Sequence, residues 1–174
     1  MTSDAATLTG ALADRSAWRA DRCPIGKALQ VVGTRSAMLI MREAYYGTTR
    51  FDDFAYRVGI TEAVVAARLR ELTEAGLLER RPYQEPGQRT RFEYRLTDKG
   101  RDLMPVVLGL FEWGAKHVSP GGRPPVRLSH ADCGAPVHVV IRCVDEHDVP
   151  LEQLVVSPAE RGRTGTAVRR GRSA

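Results

Sequence analysis

Between residues 21 and 118 apolar side chains recur every three or four positions, and Gly, Thr and Asp cut the pattern into short helices. Cys23-Pro24 followed by Ala28, Leu29, Val31 and Val32 predicts a first helix, with Pro24 suited to its first turn. Gly33-Thr34 breaks it. Met38, Leu39 and Met41 give helical spacing to a second helix from Ala37 to Tyr46, ended by Gly47. Arg50-Phe51 reads as a brief extended stretch. Asp52 is the expected cap of a third helix, Asp53 to Val58. Gly59-Ile60 makes a tight turn, and Thr61 caps a fourth helix that runs to about Ala75 before Gly76. Leu77 to Tyr83 and Arg91 to Leu96 read as strands around a turn, and Thr97-Asp98 opens a last helix that reaches about Val118.

The flanks have a different texture. Residues 1–20 are small and polar and read as a frayed tail. Residues 119–125, Ser-Pro-Gly-Gly-Arg-Pro-Pro, are a linker by composition. Residues 126–156 alternate apolar and polar, which predicts strands in a small β appendage. Residues 157–174 are rich in Arg and Gly and read as a disordered tail.

A short helix, a glycine turn and a longer amphipathic helix form a helix-turn-helix, and a hairpin directly after it forms a wing. The expected fold is therefore mainly α with some β (α+β), a winged helix-turn-helix over 21–118 with a small β-rich appendage. In such a fold the second helix of the motif enters the major groove of DNA. Here that helix carries an apolar stripe, Val65, Leu69 and Leu72, extended by Ile60 and Leu77. Its other face holds Thr61, Glu62, Ala63, Ala66, Ala67 and Arg70. Thr61 and Arg70 can bond phosphates or bases, Glu62 can accept from cytosine, and the alanines can only meet thymine methyls. The hairpin tip adds Arg89 and Arg91, suited to phosphate and minor-groove contacts. The competing reading is a winged-helix protein-interaction module that has lost DNA binding.

Composition changes this picture little. Of 174 residues, 26 are basic and 21 acidic, a net charge of +5. A mild basic excess permits nucleic-acid binding without requiring it. Placement says more: between Glu79 and Arg101 seven basic residues face four acidic ones. No run of about 18 apolar residues is present, so neither a spanning helix nor a membrane partner is expected. The first residues lack a secretory pattern, and three cysteines fit a reducing cytoplasm. No phosphate loop, His-Glu-x-x-His or Gly-x-Ser-x-Gly motif appears, and the four histidines (117, 130, 138 and 147) all lie at or beyond the end of the last helix. No catalytic residues and no required cofactor are expected.

The ordered landmarks from Cys23 to His117 resemble the HxlR-type transcriptional regulators, relatives of the MarR group. They are Cys23-Pro24, Gly33, Arg42-Glu43, Arg50-Phe51-Asp52-Asp53-Phe54, Gly59-Ile60-Thr61, Leu69-Arg70-Glu71-Leu72, Gly76-Leu77-Leu78-Glu79-Arg80, Pro86, Phe92 to Gly100, and Trp113-Gly114. Gly33-Thr34-Arg35 stands where the family usually has Gly-Lys-Trp. The resemblance implies a cytoplasmic bacterial regulator, acting as a homodimer on a near-palindromic operator under an unidentified effector or redox signal. The dimer would pair the first and last helices. Met104, Val106, Val107, Leu110 and Trp113 give the last helix more apolar surface than one small core needs.

Cys23 matches the position of sensing cysteines in several members of that family. A thiol there sits at a helix N-terminus, with Arg22 and Lys27 nearby in sequence, and both features favour thiolate. The alternative is an inert packed cysteine. In the appendage, His130, Cys133, Cys143 and His147 are spaced His-x2-Cys and Cys-x3-His, two sulfur and two nitrogen donors that could hold zinc. A metal-free appendage is the other reading.

Overall fold

The computed structural model describes residues 5–17, 23–122 and 124–159. The chain divides into two units, Ala20–Val140 and a second formed by residues 1–19 with 141–174.

In the larger unit the helices are α1 (Pro24–Val32), α2 (Arg35–Tyr45), α3 (Phe51–Val58) and α4 (Glu62–Glu74). Strands β2 (Leu78–Tyr83) and β3 (Arg91–Leu96) follow, and then α5 (Asp98–Asp102) and α6 (Met104–His117). The two strands pair antiparallel with Leu78 opposite Leu96 and Tyr83 opposite Arg91. Beside them Arg50 bridges to Glu93, and the Tyr94 amide donates to the Thr49 carbonyl at 2.8 Å. The extended stretch at Arg50 thus lies along the wing.

The core forms where α2, α3, α4 and the start of β2 meet. Ile40, Met41, Phe54, Val65, Leu69, Leu72 and Leu78 are almost completely enclosed. On α4, Val65, Leu69 and Leu72 are the predicted stripe, spaced so that one face of the helix points inward. The last helix supplies no fully buried residue and packs through half-buried Val107, next to Leu103.

Element ends differ from the sequence expectation for local reasons. Helix α2 begins two residues early, because Thr34 caps it by accepting from the Ala37 amide at 3.2 Å. Helix α3 begins at Phe51 with Arg50 as N-cap, so Asp52 is not the cap. Asp52 and Asp53 sit in the first turn, where a negative charge meets the positive end of the helix. The long last helix is broken at Leu103, since Pro105 has no amide to offer the turn before it. Gly59 holds the turn between α3 and α4 at φ 69°, a conformation that costs a residue without Cβ little.

The alternating stretch 126–156 forms isolated bridges, Ser129 with Pro136 and Arg142 with Asp148, and one short strand. Almost every side chain there is exposed, so nothing drives a longer ladder. In the smaller unit that strand, β4 (Val155–Val156), pairs in parallel with β1 (Thr7–Leu8). The stretch read as a frayed N-terminal tail therefore contains a paired strand and 3-10 turns at Gly10–Leu12 and Arg15–Ala17. The Arg-rich part of the C-terminal tail, residues 160–174, lies outside the described residues. Among the described residues no helix is long and apolar enough to cross a membrane.

Candidate nucleic-acid interface

Helix α4 buries Val65, Leu69 and Leu72, which turns the opposite residues outward. Thr61, Glu62, Ala63, Ala66 and Arg70 are exposed, and Ala67 is half-buried. Val64 is exposed on the same helix and was not among the expected contacts. Arg70 keeps a loose ion pair with Glu74 at 3.9 Å, both side chains well exposed, so its guanidinium is free to move to an anion. Arg68 points elsewhere: it is half-buried and paired with Glu71. Thr61 stands at the N-cap with its hydroxyl unused by the helix, which leaves that group for an outside partner.

The wing is organised by arginines stacked on rings. The Arg50 guanidinium lies 3.5 Å from the centre of the Tyr83 ring, and its Nη2 reaches Glu85 Oε1 at 3.5 Å. The Arg80 guanidinium lies 3.4 Å from the centre of the Phe92 ring. The stack on Phe92 fixes the Arg80 charge on the hairpin without neutralising it, and the stack on Tyr83 holds Arg50 against the wing. Lower on the sheet, Glu93 accepts from Arg95, and this bond holds its carboxyl below the ordinary range. Arg81 pairs with Glu79 at 2.5 Å. Arg89 and Arg91 are exposed and, among the described residues, have no ion-pair partner. Arg50, Arg80, Arg89 and Arg91, with Tyr83 and Phe92, line one concave site of about 520 Å³.

The sequence placed Arg89 and Arg91 on the tip but missed Arg50 and Arg80 as members of the same basic surface. Their stacking depends on strand register, which decides that Arg80 lies two positions diagonal to Phe92. Tyr56 on α3 was also missed. It is 87% exposed, and Arg57 beside it is exposed too.

A second surface carries no charge logic. Ile25 and Leu29 on α1 and Val106, Leu110 and Trp113 on α6 are large, apolar and exposed, Ile25 by 70% and Trp113 by 60%. Each set is spaced to form a stripe along its helix. Between α2 and α6 runs an apolar groove of about 400 Å³ lined by Met38, Leu39, Tyr45, Val107, Leu110 and Phe111, with Arg35 and Arg42. Arg42 is held by Glu43 at 2.6 Å, a buried carboxylate that also accepts from Thr48.

Cys23 is half-buried at the N-cap of α1, next to that apolar surface in sequence. Cys133 and Cys143 are exposed free thiols. Each has a histidine beside it, His130 and His147 respectively. Among the described residues no three potential metal ligands are gathered in one cluster.

Comparison with known proteins fits this geometry. A family model described as HxlR-like helix-turn-helix matches residues 31–121. An uncharacterized HTH-type transcriptional regulator of Mycobacterium tuberculosis is 42% identical over 110 residues, 63% of this chain and 68% of the relative. Another, of Bacillus subtilis, is 31% identical over 96 residues, 55% of this chain and 73% of the relative. The crystal structure of PA1607, described as a candidate transcription factor, superposes with a TM-score of 0.70 at 35% identity, covering 81% of this chain and 96% of that one. A share of that size does not fit within residues 31–121, so the likeness continues beyond the helix-turn-helix domain. The redox regulator HypR in its oxidized form superposes with a TM-score of 0.52 at 31% identity, covering 56% of this chain and all of that one.

Proposed function

Because the chain belongs to the HxlR-like helix-turn-helix family, and so is a transcriptional regulator, we propose that it acts as a homodimer on a near-palindromic operator. The observation that carries this reading is the division of α4, with its apolar stripe sealed in the core and Thr61, Glu62, Ala63, Ala66 and Arg70 presented outward. That is the arrangement by which a recognition helix reads a major groove. The face is poor in residues that make bidentate base contacts, so Arg70 and the wing carry more of the binding, and groove shape contributes to sequence choice. Arg89 and Arg91 supply phosphate or minor-groove contacts, with Arg50 and Arg80 adding fixed charge behind them.

The exposed stripes of α1 and α6 support the dimer. Apolar area of this kind in one patch is costly to leave in water and is covered by a matching copy in a two-fold interface. A two-fold dimer spaces its half-sites about one helical turn apart. A signal entering near that interface would reach the recognition helices by moving the two copies against each other. Two entry points are available: a small apolar effector in the α2–α6 groove, and oxidation of Cys23 at the start of α1.

The test is a gel shift and footprint with the DNA upstream of the protein's own gene. Protection of two half-sites, resistant to competitor DNA and weakening steeply with salt, is the expected result. Equal affinity for unrelated sequences would remove the operator reading, and no binding to DNA would leave the interaction-module alternative. The redox branch fails if peroxide or a quinone changes operator affinity equally in wild type and Cys23→Ser.

A further inference from the structure

Two hollows meet on the face of the wing sheet that turns toward α4. Leu78 on β2 is buried in the core with Leu69 and Leu72. Two positions on, Arg80 leaves the same face of the strand and is exposed. Tyr94 stands directly opposite Arg80 in the antiparallel register, so the two side chains share that face, with Cβ atoms about 5 Å apart. Arg80 and Tyr94 line the wing-side hollow of about 520 Å³ together with Arg50, Arg89 and Arg91. They also line a second hollow, of about 280 Å³, with Ala66, Arg70, Thr73 and Glu74 of α4. Among the described residues these two alone line both hollows.

Both side chains are held in place, and their polar ends are unused. The Tyr94 ring packs on the core and meets Phe54 edge-on, with ring centres 6.5 Å apart. Its hydroxyl has no hydrogen-bond partner among the described residues. A tyrosine anchored by its ring ordinarily gives its O–H a partner. The Arg80 guanidinium rests on Phe92 at 3.4 Å and makes no ion pair or hydrogen bond among the described residues. Stacking occupies the flat face of a guanidinium and leaves the N–H donors along its edge. The nearby acids do not cancel this charge. Glu74 is matched by Arg70 at 3.9 Å, and Asp52 shares the wing-side hollow with four arginines. The ridge between the hollows is therefore suited to an anion that takes several hydrogen bonds.

We propose that Arg80 and Tyr94 form a seat for one backbone phosphate of DNA, on the ridge between the recognition helix and the wing. The inference rests on the reading of the chain as a DNA-binding regulator. A duplex that takes α4 in its major groove and the wing in the adjacent minor groove passes one sugar-phosphate strand over the surface between them. Here that surface is the Arg80–Tyr94 pair. Arg80 supplies charge and N–H donors, and Tyr94 adds a neutral O–H donor to the same phosphate. Stacking and packing already fix both groups, so binding costs them little side-chain freedom. Arg89 and Arg91 on the tip lack that support and are ordered only by the DNA. The seat sets the position of α4 along its groove and reads no base itself.

The test uses the full-length protein and short fluorescein-labelled duplexes from the region upstream of its own gene, titrated by anisotropy over a salt series. Tyr94→Phe keeps the ring on Phe54 and deletes one donor. Its affinity should fall about two- to tenfold, since one hydrogen bond is lost. Its salt slope and thermal unfolding should stay as in the wild type, because the hydroxyl carries no charge. Arg80→Gln should lower the slope of log affinity against log salt by about 0.9 for each chain bound. Arg80→Lys should keep the slope and still bind more weakly, because a flexible ammonium is not held edge-on. Where Arg80→Gln unsettles the hairpin, Tyr94→Phe carries the test. Wild-type affinity in Tyr94→Phe, or the full slope in a folded Arg80→Gln, overturns the seat and leaves the DNA-binding reading standing. A wild type that binds none of the duplexes overturns that reading and the seat with it.

Discussion

The Tyr45 hydroxyl donates to the Gly100 carbonyl at 2.6 Å, a bond that ties α2 to α5 across 55 residues of sequence. Burial pushes the Tyr45 phenol from 10.0 up to about 12. A group whose folded pKa is raised contributes stability that is complete below its unfolded value and lost as pH climbs through the folded one. This contribution is therefore present below pH 10.0 and declines toward about 12. Tyr45→Phe is expected to cost about 1 kcal/mol at neutral pH. It should also flatten the alkaline part of the stability profile, both read from urea unfolding at several pH values. An unchanged alkaline slope would show that another group causes it.

Gly100 itself is fixed by contact with the strand beside it. A Cβ built there would lie 2.1 Å from the Leu77 carbonyl oxygen and 3.2 Å from Leu96 Cδ2. Alanine in a helix gains at most about 1 kcal/mol over glycine. The clash is with backbone and outweighs that gain, so Gly100→Ala should destabilise by roughly 1–3 kcal/mol. Thermal unfolding decides the sign, and a rise in Tm would mean that α5 slides away from β2 at little cost.

On the wing, charge and order can be separated. Among the described residues Arg89 and Arg91 have no ion-pair partner to lose, so Arg89→Ala with Arg91→Ala should leave stability within about 0.5 kcal/mol. Operator affinity should fall, and the slope of log affinity against log salt should shrink by about one for each phosphate contact removed. Arg80→Ala should instead loosen the hairpin, because it removes the stack on Phe92 as well as a charge. Fluorescence anisotropy over a salt series measures both. A double variant with wild-type slope would place the wing away from the DNA.

The apolar stripe of α6 gives a direct test of assembly. Leu110→Asp puts a charge into the centre of the surface formed with Val106 and Trp113. Sedimentation should show a dimer for the wild type and a monomer for the variant, with operator affinity reduced because only one half-site is held. Equal sedimentation of the two proteins would move the dimer contact elsewhere.

Much of the fold was written in local pattern. The stripe Val65, Leu69, Leu72 is periodic enough to place α4, and Gly59 and Gly76 mark its flanking turns through positive φ. The helix starts were less legible, because Thr34 and Arg50 set them and competing caps lay within two residues. The outward placement of Arg70, Arg89 and Arg91 was legible, because exposure follows from the apolar pattern alone. Arg50 and Arg80 join the basic surface through ring stacking across strands, and the sequence does not state which ring faces which strand position. The alternation in 126–156 suggested strands, but alternation makes a ladder only when one face is covered, and here neither is.

The carboxylate of Glu112 on α6 accepts from His138 Nδ1 at 2.8 Å and from the Val139 amide at 2.9 Å, so it fastens the chain after the linker onto that helix. The Val139 amide, and then His138, hold its carboxyl below the ordinary 4.5. A lowered folded pKa means that the stabilisation is present above the unfolded value and is lost as pH falls through the folded one. The fastening should therefore survive down to pH 4.5 and open only below it. The Val139 amide reports on this directly through its protection factor in hydrogen exchange, which corrects for the intrinsic pH dependence of the rate. Protection at neutral pH that disappears under acid is expected for the wild type. Glu112→Ala should abolish it at every pH, whereas His138→Ala should leave part of it, because the amide bond to the carboxylate remains. If Val139 stayed protected in Glu112→Ala, packing of the segment on α6, and not the carboxylate, would be what holds it.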